Sequence, residues 1–293
     1  MKGLSAPFKL TLPALPPRQS ILALLTLVFV LNALLIYFML EQPRFGISLQ
    51  LVDGKIFATE TSPSSLDDQQ VPRELTALAT AEYRFELEAE DLLEEPDLLT
   101  RYSEYNRFMQ RQSMLFDLLQ YPRVELFWAD QASSSLAPRK TVWSDLPLMF
   151  WFQLIVASFS LLVGAAVWLF RQRDRSALHY FLIGVFLALV IFPAAIYSSR
   201  ELALDGELFR VLSVVDHLGL YIVMAAIVSL VWCYPQPLWT FPFPALFYSL
   251  MYLCWVVDTV QWFPDLDVST RIVPLLMLVL GFVLLIVHWK RSA

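Results

Sequence analysis

The feature that most constrains this chain is a set of six apolar segments of membrane-spanning length. A helix needs about 20 apolar residues to cross ~30 Å of hydrocarbon at 1.5 Å per residue. Segments of that length cover residues 20–40, 148–170, 177–197, 209–232, 242–262 and 271–289. With 57% hydrophobic and 16% charged residues, the chain also has more apolar side chains than a water-exposed surface accommodates. The sequence therefore predicts a polytopic α-helical membrane protein with six spans.

The basic residues predict the orientation of these spans. Lysine and arginine in short loops are retained on the cytoplasmic side during insertion. They cluster in the tail 1–19, in the turn 171–175 and at the end 290–293. Both termini are therefore predicted to be cytoplasmic. The first span, 20–40, is longer than a signal-peptide core and has no small-residue cleavage site after it, so we expect an uncleaved anchor.

The block 148–289 is expected to hold the other five transmembrane helices. Its least regular part is the entry to the chain's fifth span, where residues 233–244 contain four prolines. Prolines in such a position either begin a helix or form a re-entrant turn.

Residues 41–147 differ in composition from the rest of the chain. They hold 19 of the 27 acidic and 10 of the 21 basic residues, and the predicted orientation places them outside the cytoplasm. Alternating apolar residues predict strands, and three- and four-residue spacing predicts one helix over about 96–119, so we expect a small α/β domain. The predicted strands are FGISLQLV, KIFATE, YRFELEA, RVELFWA and RKTVWS, with Asp53-Gly54 as the turn of the first hairpin.

The spacing of the eight glycines excludes most nucleotide-binding and hydrolase motifs. No two glycines lie within seven positions of each other, so the chain has no dinucleotide fingerprint, P-loop, kinase glycine loop or GxSxG elbow. The cysteines and histidines form no short metal-ligand motif. The acidic stretch ELEAEDLLEEPD lacks a calcium-loop spacing, and we interpret it as solvated charge. We predict no cofactor, no nucleic-acid partner and no enzymatic activity for this chain.

Charged side chains at membrane depth are the main candidates for a functional site, because each costs ~3 kcal/mol on insertion scales. Asp216 and His217 lie about two turns inside the fourth span, and Asp258 lies about one turn inside the fifth. With the orientation above, these groups and Arg271 share the outer leaflet, and we predict that they form one cluster. Such a cluster is either a ligand- or proton-sensing pocket or a set of interhelical contacts that fixes the packing.

Two residues of the loop before the fourth span are further candidates. Arg200 and Glu201 lie at the same outer boundary as this cluster. Long side chains at a membrane boundary reach toward buried polar groups, so we expect this loop to belong to the same region.

The order of parts resembles the N-terminal sensory region of bacterial sensor histidine kinases of the competence and quorum-sensing type. In those proteins an anchor is followed by a PDZ-like extracytoplasmic domain and then by a polytopic membrane block. Besides the opening strand, the similar tracts are LEEPDLLTRYSEYNRFMQRQS, FWFQLIVASFSLLVGAAVWLFRQRDRSA and FPAAIYSSRELALDGELFRVLS. The GSPA and AGL-x-x-GD elements of a peptide-binding PDZ groove are absent, so capture of a peptide carboxylate is not carried over. A phosphoacceptor helix and an ATP lid are absent as well.

The resemblance implies a signal-input module in the bacterial inner membrane that works as a homodimer. Its signal is expected to be a small molecule, a lipid or a peptide, and its output a cytoplasmic kinase on a longer chain or on another polypeptide. The alternatives are a structural or partner-binding subunit of an envelope complex and, less favoured by the sequence, a small transporter. A transporter usually shows an internal repeat with broken helices, and the chain shows no matching pair of segments.

Overall fold

The computed structural model describes residues 17–60, 72–234, 236, 238 and 243–292. Most of the predicted tail 1–19, the loop 61–71 and the centre of the proline-rich stretch 233–244 lie outside the described residues. The predictions made for those parts lie outside them as well.

The described residues are mostly helical. The α-helices are α1 (Pro17–Glu41), α2 (Tyr102–Leu118), α3 (Leu148–Phe170), α4 (Arg175–Ser198), α5 (Gly206–Cys233), α6 (Phe243–Thr259) and α7 (Val273–Ser292). A π-helical turn, Val268–Ile272, leads into α7, and short 3-10 turns lie at Ala89–Leu92, Pro96–Leu98 and Trp143–Asp145.

Within the described part of the chain, five helical segments are long and apolar enough to cross a membrane. They are Gln19–Glu41, Leu148–Phe170, Arg175–Ser198, Gly206–Cys233 and Val268–Arg291, and they identify the chain as a membrane protein. The predicted span 242–262 contains only the 17-residue helix α6. This helix ends early because Gln261 adopts a φ of +58° and the backbone N–H of Trp262 turns back to the carbonyl of Val257, 2.9 Å away.

The strands belong to one domain, residues 42–146, which we call the sheet domain. They are β1 (Pro43–Arg44), β2 (Ile47–Val52), β3 (Lys55–Glu60), β4 (Arg73–Ala79), β5 (Arg84–Glu86), β6 (Val124–Trp128), β7 (Ser133–Leu136) and β8 (Arg139–Lys140). The main sheet is antiparallel with the order β2-β3-β4-β6-β7, and β5 pairs with β4. β1 and β8 form a separate ribbon next to the helices. Helix α2 covers the sheet with Leu115 and Leu118.

The sequence predicted this domain in outline. The hairpin β2–β3 turns at Asp53 and Gly54, both of which have positive φ. Strands β4 and β7 were not predicted, and only two residues of the predicted strand RKTVWS form β8. The predicted helix 96–119 is divided, because the turn Pro96–Leu98 precedes α2 instead of continuing into it.

The sheet domain is packed onto the helices by a shared hydrophobic core. Tyr105, Phe108 and Met109 of α2 lie in one buried cluster with Phe150 of α3 and Phe209 of α5. The rings of Phe108 and Phe209 meet edge to face with centroids 5.4 Å apart. Because these large side chains are buried between the two parts, the domain is held against the helix ends over a broad contact.

Candidate functional site

The sheet domain meets the helices at a junction of buried polar groups. On one side are the turn Pro96–Leu98 and the start of α2, and on the other are α5, the end of α6 and the turn before α7. Five side chains lie together at this junction, and we call them the polar cluster: Asp97, Tyr102, Asp216, His217 and Asp258.

His217 is the centre of the polar cluster. Its Nδ1 lies 2.6 Å from Oδ2 of Asp258, and its Nε2 lies 2.9 Å from Oδ1 of Asp97. Both His217 and Asp258 are 5% exposed. One imidazole ring thus connects the sheet domain, α5 and α6. A neutral imidazole has a single N–H, so the ring by itself serves two carboxylates only as an imidazolium.

Tyr102 links the same carboxylate to the sheet domain. Its hydroxyl donates to Oδ1 of Asp258 at 2.7 Å, while Oδ2 faces His217. Ser269, which is 1% exposed, lies 3.5 Å from the same hydroxyl. Burial, reinforced by the hydrogen bond to Asp258, raises the pKa of Tyr102 well above its ordinary value, so the hydroxyl remains a donor at neutral pH. Asp258 is therefore held on both of its oxygens.

Asp216 differs from the other members because its carboxylate is left without a protein donor. The residue is 7% exposed, and Oδ1 has no hydrogen-bond partner among the described residues. One ligand atom each of Asp97, Asp216 and His217 lies within 4.8 Å of the others. A buried carboxylate without a partner is costly, which makes Asp216 the most unusual group of the site.

The structure brings together three of the four residues that the sequence placed in the membrane cluster. Asp216, His217 and Asp258 meet, whereas the polar contacts of Arg271 are with other residues. Arg271 forms an ion pair with Asp267 at 2.8 Å and donates to the carbonyl of Leu98, and its side chain is 50% exposed. Its partner is one helical turn away in sequence, so a local pair replaces the predicted contact with the buried acids.

The outer-loop candidates lie in a second part of the junction. Residues 199–205, which we call the latch loop, insert Leu202 and Ala203 into the core of the sheet domain. Leu204 enters the shared core with α2 and α5. A connection between two long helices therefore completes the packing of a domain that is distant in sequence.

Arg200 holds the latch loop against the sheet domain by hydrogen bonds from all three nitrogen atoms of its guanidinium group. Nη1 donates to the carbonyls of Glu94 at 3.2 Å and Tyr197 at 2.5 Å, Nη2 donates to the carbonyl of Leu93, and Nε donates to Oε1 of Gln112 at 3.2 Å. Enclosure lowers the pKa of this guanidinium to about 10, so it remains charged at neutral pH.

Glu201 fastens the opposite side of the loop. Its two carboxylate oxygens accept the backbone N–H groups of Phe45 and Ile47, each at 2.6 Å, and its side chain is 5% exposed. Gly46 makes this arrangement possible, because its φ of +78° turns the chain so that both N–H groups face one carboxylate. Burial raises the pKa of Glu201, while Arg44 and the N–H donors oppose the rise.

We expect Glu201→Gln to loosen the start of β2. The amide group offers only one acceptor oxygen, so either Phe45 or Ile47 loses its partner, at a cost of about 1–3 kcal/mol. Hydrogen–deuterium exchange of these two amides should therefore accelerate by about tenfold to a hundredfold. Glu125→Gln is the control, because Glu125 is exposed on β6. Equal exchange in both variants would contradict the assigned role of Glu201.

Sequence reasoning missed Asp97 and Tyr102 as members of the site. Asp97 lies in the acidic stretch that we interpret as solvated charge, and Tyr102 lies within the predicted helix over about 96–119. No local pattern distinguishes Asp97 from Glu94 or Glu95. Only the packing of the Pro96–Leu98 turn against α5 makes it a partner of His217.

Comparison with known proteins identifies no relative of this chain. No family model matches it, and neither the curated proteins nor the solved structures give a significant match. The geometry of the junction is therefore the basis for interpreting its function.

Proposed function

We propose that this chain is the signal-input module of a bacterial membrane receptor. The observation that carries the proposal is the junction, where buried polar contacts connect one small domain to several membrane helices. A change in how the sheet domain sits on the helices must alter the contacts of His217 with Asp97 or those of the latch loop. Such contacts transmit a displacement only if they have two packing states, which is what the experiment below measures.

A cleft beside the latch loop is suited to receive the signal. It has a volume of about 260 Å³ and lies between the edge strand β2 and the latch loop. Leu49, Leu51 and Leu92 provide apolar walls, while Glu94 and Arg200 provide charge. A molecule bound there touches the sheet domain and the latch loop at once. An amphipathic small molecule, a lipid or a short peptide has the matching chemistry.

The resemblance to sensor histidine kinases supplies the rest of the proposal. By that resemblance the sheet domain is PDZ-like and lies outside the cytoplasm, both termini are cytoplasmic, and the membrane is the bacterial inner membrane. The chain itself is non-catalytic, acts as a homodimer and passes its signal to a kinase domain in cis or in trans. α6, although short, belongs to the membrane block in this arrangement.

The test measures whether the junction controls the far ends of the helices. Spin labels are placed at Arg173 and Lys290, which are exposed and distant from the sheet domain, after Cys233 and Cys254 are replaced with serine. Asp97→Ala, which removes the domain contact of His217, should change the label-to-label distance in lipid nanodiscs by about 1–2 Å or broaden its distribution.

The control for this experiment is Asn32→Ala. It removes a 2.8 Å hydrogen bond to Ser158, between α1 and α3, that does not involve the sheet domain. We expect this variant to leave the distance unchanged. Unchanged distances in Asp97→Ala as well would contradict the proposal and favour a rigid structural subunit of an envelope complex.

A further inference from the structure

We propose that the polar cluster binds one divalent transition-metal ion through Asp97, Asp216 and His217. The inference names a ligand for the junction, and its regulatory meaning rests on the proposed function.

The three side chains already have nearly the spacing that a metal ion requires. In tetrahedral coordination at about 2.0–2.2 Å, two ligand atoms lie about 3.3–3.6 Å apart. Here the three atoms lie within 4.8 Å of one another, and Nε2 of His217 is 2.9 Å from Oδ1 of Asp97. A side-chain adjustment of about 1.5 Å or less therefore brings all three into one coordination shell. They come from the Pro96–Leu98 turn and from adjacent positions of α5, so the ion would join the sheet domain to the helix.

Asp216 points to a ligand independently of this spacing. Its buried Oδ1 has no hydrogen-bond partner among the described residues, and one of its carboxylate oxygens lies within 4.8 Å of ligand atoms of Asp97 and His217. Replacing an uncompensated buried carboxylate with a metal-bound one removes the cost of its burial. No such gain is available from the neighbouring side chains, because Asp97 and Asp258 are acceptors when ionised.

The surroundings of His217 match those of a metal-binding histidine. Metal-bound imidazoles usually donate their second N–H to a carboxylate, which fixes the ring and its tautomer. Asp258 occupies that place at 2.6 Å from Nδ1, and Tyr102 holds the carboxylate from behind at 2.7 Å. With Nδ1–H donated to Asp258, Nε2 is unprotonated, and its lone pair can bind an ion next to Asp97, whose Oδ1 lies 2.9 Å away.

The charge of the cluster also favours a cation. It contains three carboxylates and one imidazole, and among the described residues no lysine or arginine forms an ion pair with it. Two arginines of the junction are engaged elsewhere: Arg271 pairs with Asp267, and Arg210 donates to Asn106. A divalent ion would offset most of this negative charge.

The donor set selects the class of ion. One imidazole nitrogen and two carboxylate oxygens suit Zn²⁺ and similar first-row ions, whereas Ca²⁺ takes six or more oxygen ligands. The side chain of Asp97 is 28% exposed, so an ion would enter beside it. The competing interpretation is a direct ion pair between an imidazolium and Asp97, which needs no metal.

Cobalt binding to the full chain distinguishes these two interpretations. The protein, treated with chelator and placed in nanodiscs of zwitterionic lipid, is titrated with Co²⁺ and followed by visible absorption. We expect one Co²⁺ per chain, displaced by Zn²⁺ but not by Ca²⁺. Asp216→Asn should weaken binding by at least about a hundredfold, and Asp258→Asn by about tenfold to a hundredfold.

His179→Gln serves as the matched control. His179 is also buried but lies against Tyr248, away from the cluster, so its loss should leave Co²⁺ affinity unchanged. Absence of Co²⁺ uptake by the unmodified protein at millimolar concentration would overturn the inference, and so would equal binding by Asp216→Asn. The measurement of Co²⁺ uptake by the unmodified protein does not depend on the folding of any variant.

The two proposals fail separately. If the label-to-label distance changes in Asp97→Ala but the unmodified protein binds no Co²⁺, the signalling proposal stands and the metal site is disproved. If the protein binds one Co²⁺ per chain but the label-to-label distance is unchanged in Asp97→Ala, the metal is structural and the signalling role is disproved.

Discussion

Arg200→Met is expected to release the latch loop from the sheet domain. The variant keeps an apolar stem but removes the hydrogen bonds from Arg200 to the carbonyls of Leu93, Glu94 and Tyr197. The amide oxygen of Gln112 then keeps only the bond from the backbone N–H of Leu204, at 3.4 Å. Charge-assisted hydrogen bonds contribute about 1.5–3 kcal/mol each and are not additive, so we expect a loss of about 3 kcal/mol or more. The amides of Leu202, Ala203 and Leu204 should then exchange about a hundredfold faster.

Arg107→Met is the control for this change. Arg107 also forms close contacts, at 2.5–2.6 Å to Glu88, but its side chain is 55% exposed. Exposed ion pairs contribute about 0–1 kcal/mol, so this variant should exchange almost as the unmodified protein does. Similar acceleration in both variants, or none in Arg200→Met, would show that the latch loop is held by its apolar residues instead.

Gly206→Ala is expected to separate α5 from α2. A Cβ atom at this position would lie 2.1 Å from the carbonyl oxygen of Met109 and 2.4 Å from Oγ of Ser113. The first of these atoms belongs to the backbone of a helix, so relief requires α2 to move as a whole. Overpacking costs about 1–3 kcal/mol and sometimes more, and we expect the upper end here. Thermal unfolding followed by tryptophan fluorescence, together with limited proteolysis of the sheet domain, measures the effect.

The matched substitution is Gly281→Ala in α7. The nearest atom to its added methyl group is Cγ2 of Val228 at 3.9 Å, an ordinary contact. Because alanine is favoured over glycine within a helix by up to about 1 kcal/mol, this variant should be unchanged or slightly more stable. A melting temperature lowered equally by both substitutions would contradict the close approach of α5 and α2.

The membrane helices were predictable because their signal is local and large. A continuous run of about 20 apolar residues is typical of membrane-spanning helices and rare elsewhere. The interrupted case was α6, where apolar composition continues beyond Thr259 but the left-handed backbone of Gln261 ends the helix. Hydropathy does not report such a turn, so the predicted span 242–262 was longer than the helix.

The sheet was predicted less well because its strands depend on their neighbours. β4 has the sequence RELTALA, whose residues mostly favour helices, and it becomes a strand because it pairs with β3, β5 and β6. β7 is mostly serine and owes its conformation to β6. Because the strands that pair are distant in sequence, a short stretch of sequence does not show which segments will form strands.

The candidate site was predicted only in part, because some of its residues are brought there by tertiary packing and not by a local sequence pattern. Asp216, His217 and Asp258 stand out because charge at membrane depth is rare. Asp97 and Tyr102 come from the sheet domain, where acids and tyrosines are common, and only tertiary packing selects them. The prediction for Arg271 was wrong because a nearer acid, Asp267, satisfies it.

The latch loop has a consequence for the order in which this protein is made. Leu202 and Ala203 belong to the core of the sheet domain, yet they follow that domain by more than 50 residues and by two membrane helices, α3 and α4. A nascent chain that has completed the sheet still lacks these two side chains. Final closure of the domain therefore waits until α4 has been made, so that folding of the sheet domain and assembly of the helices are steps of one process.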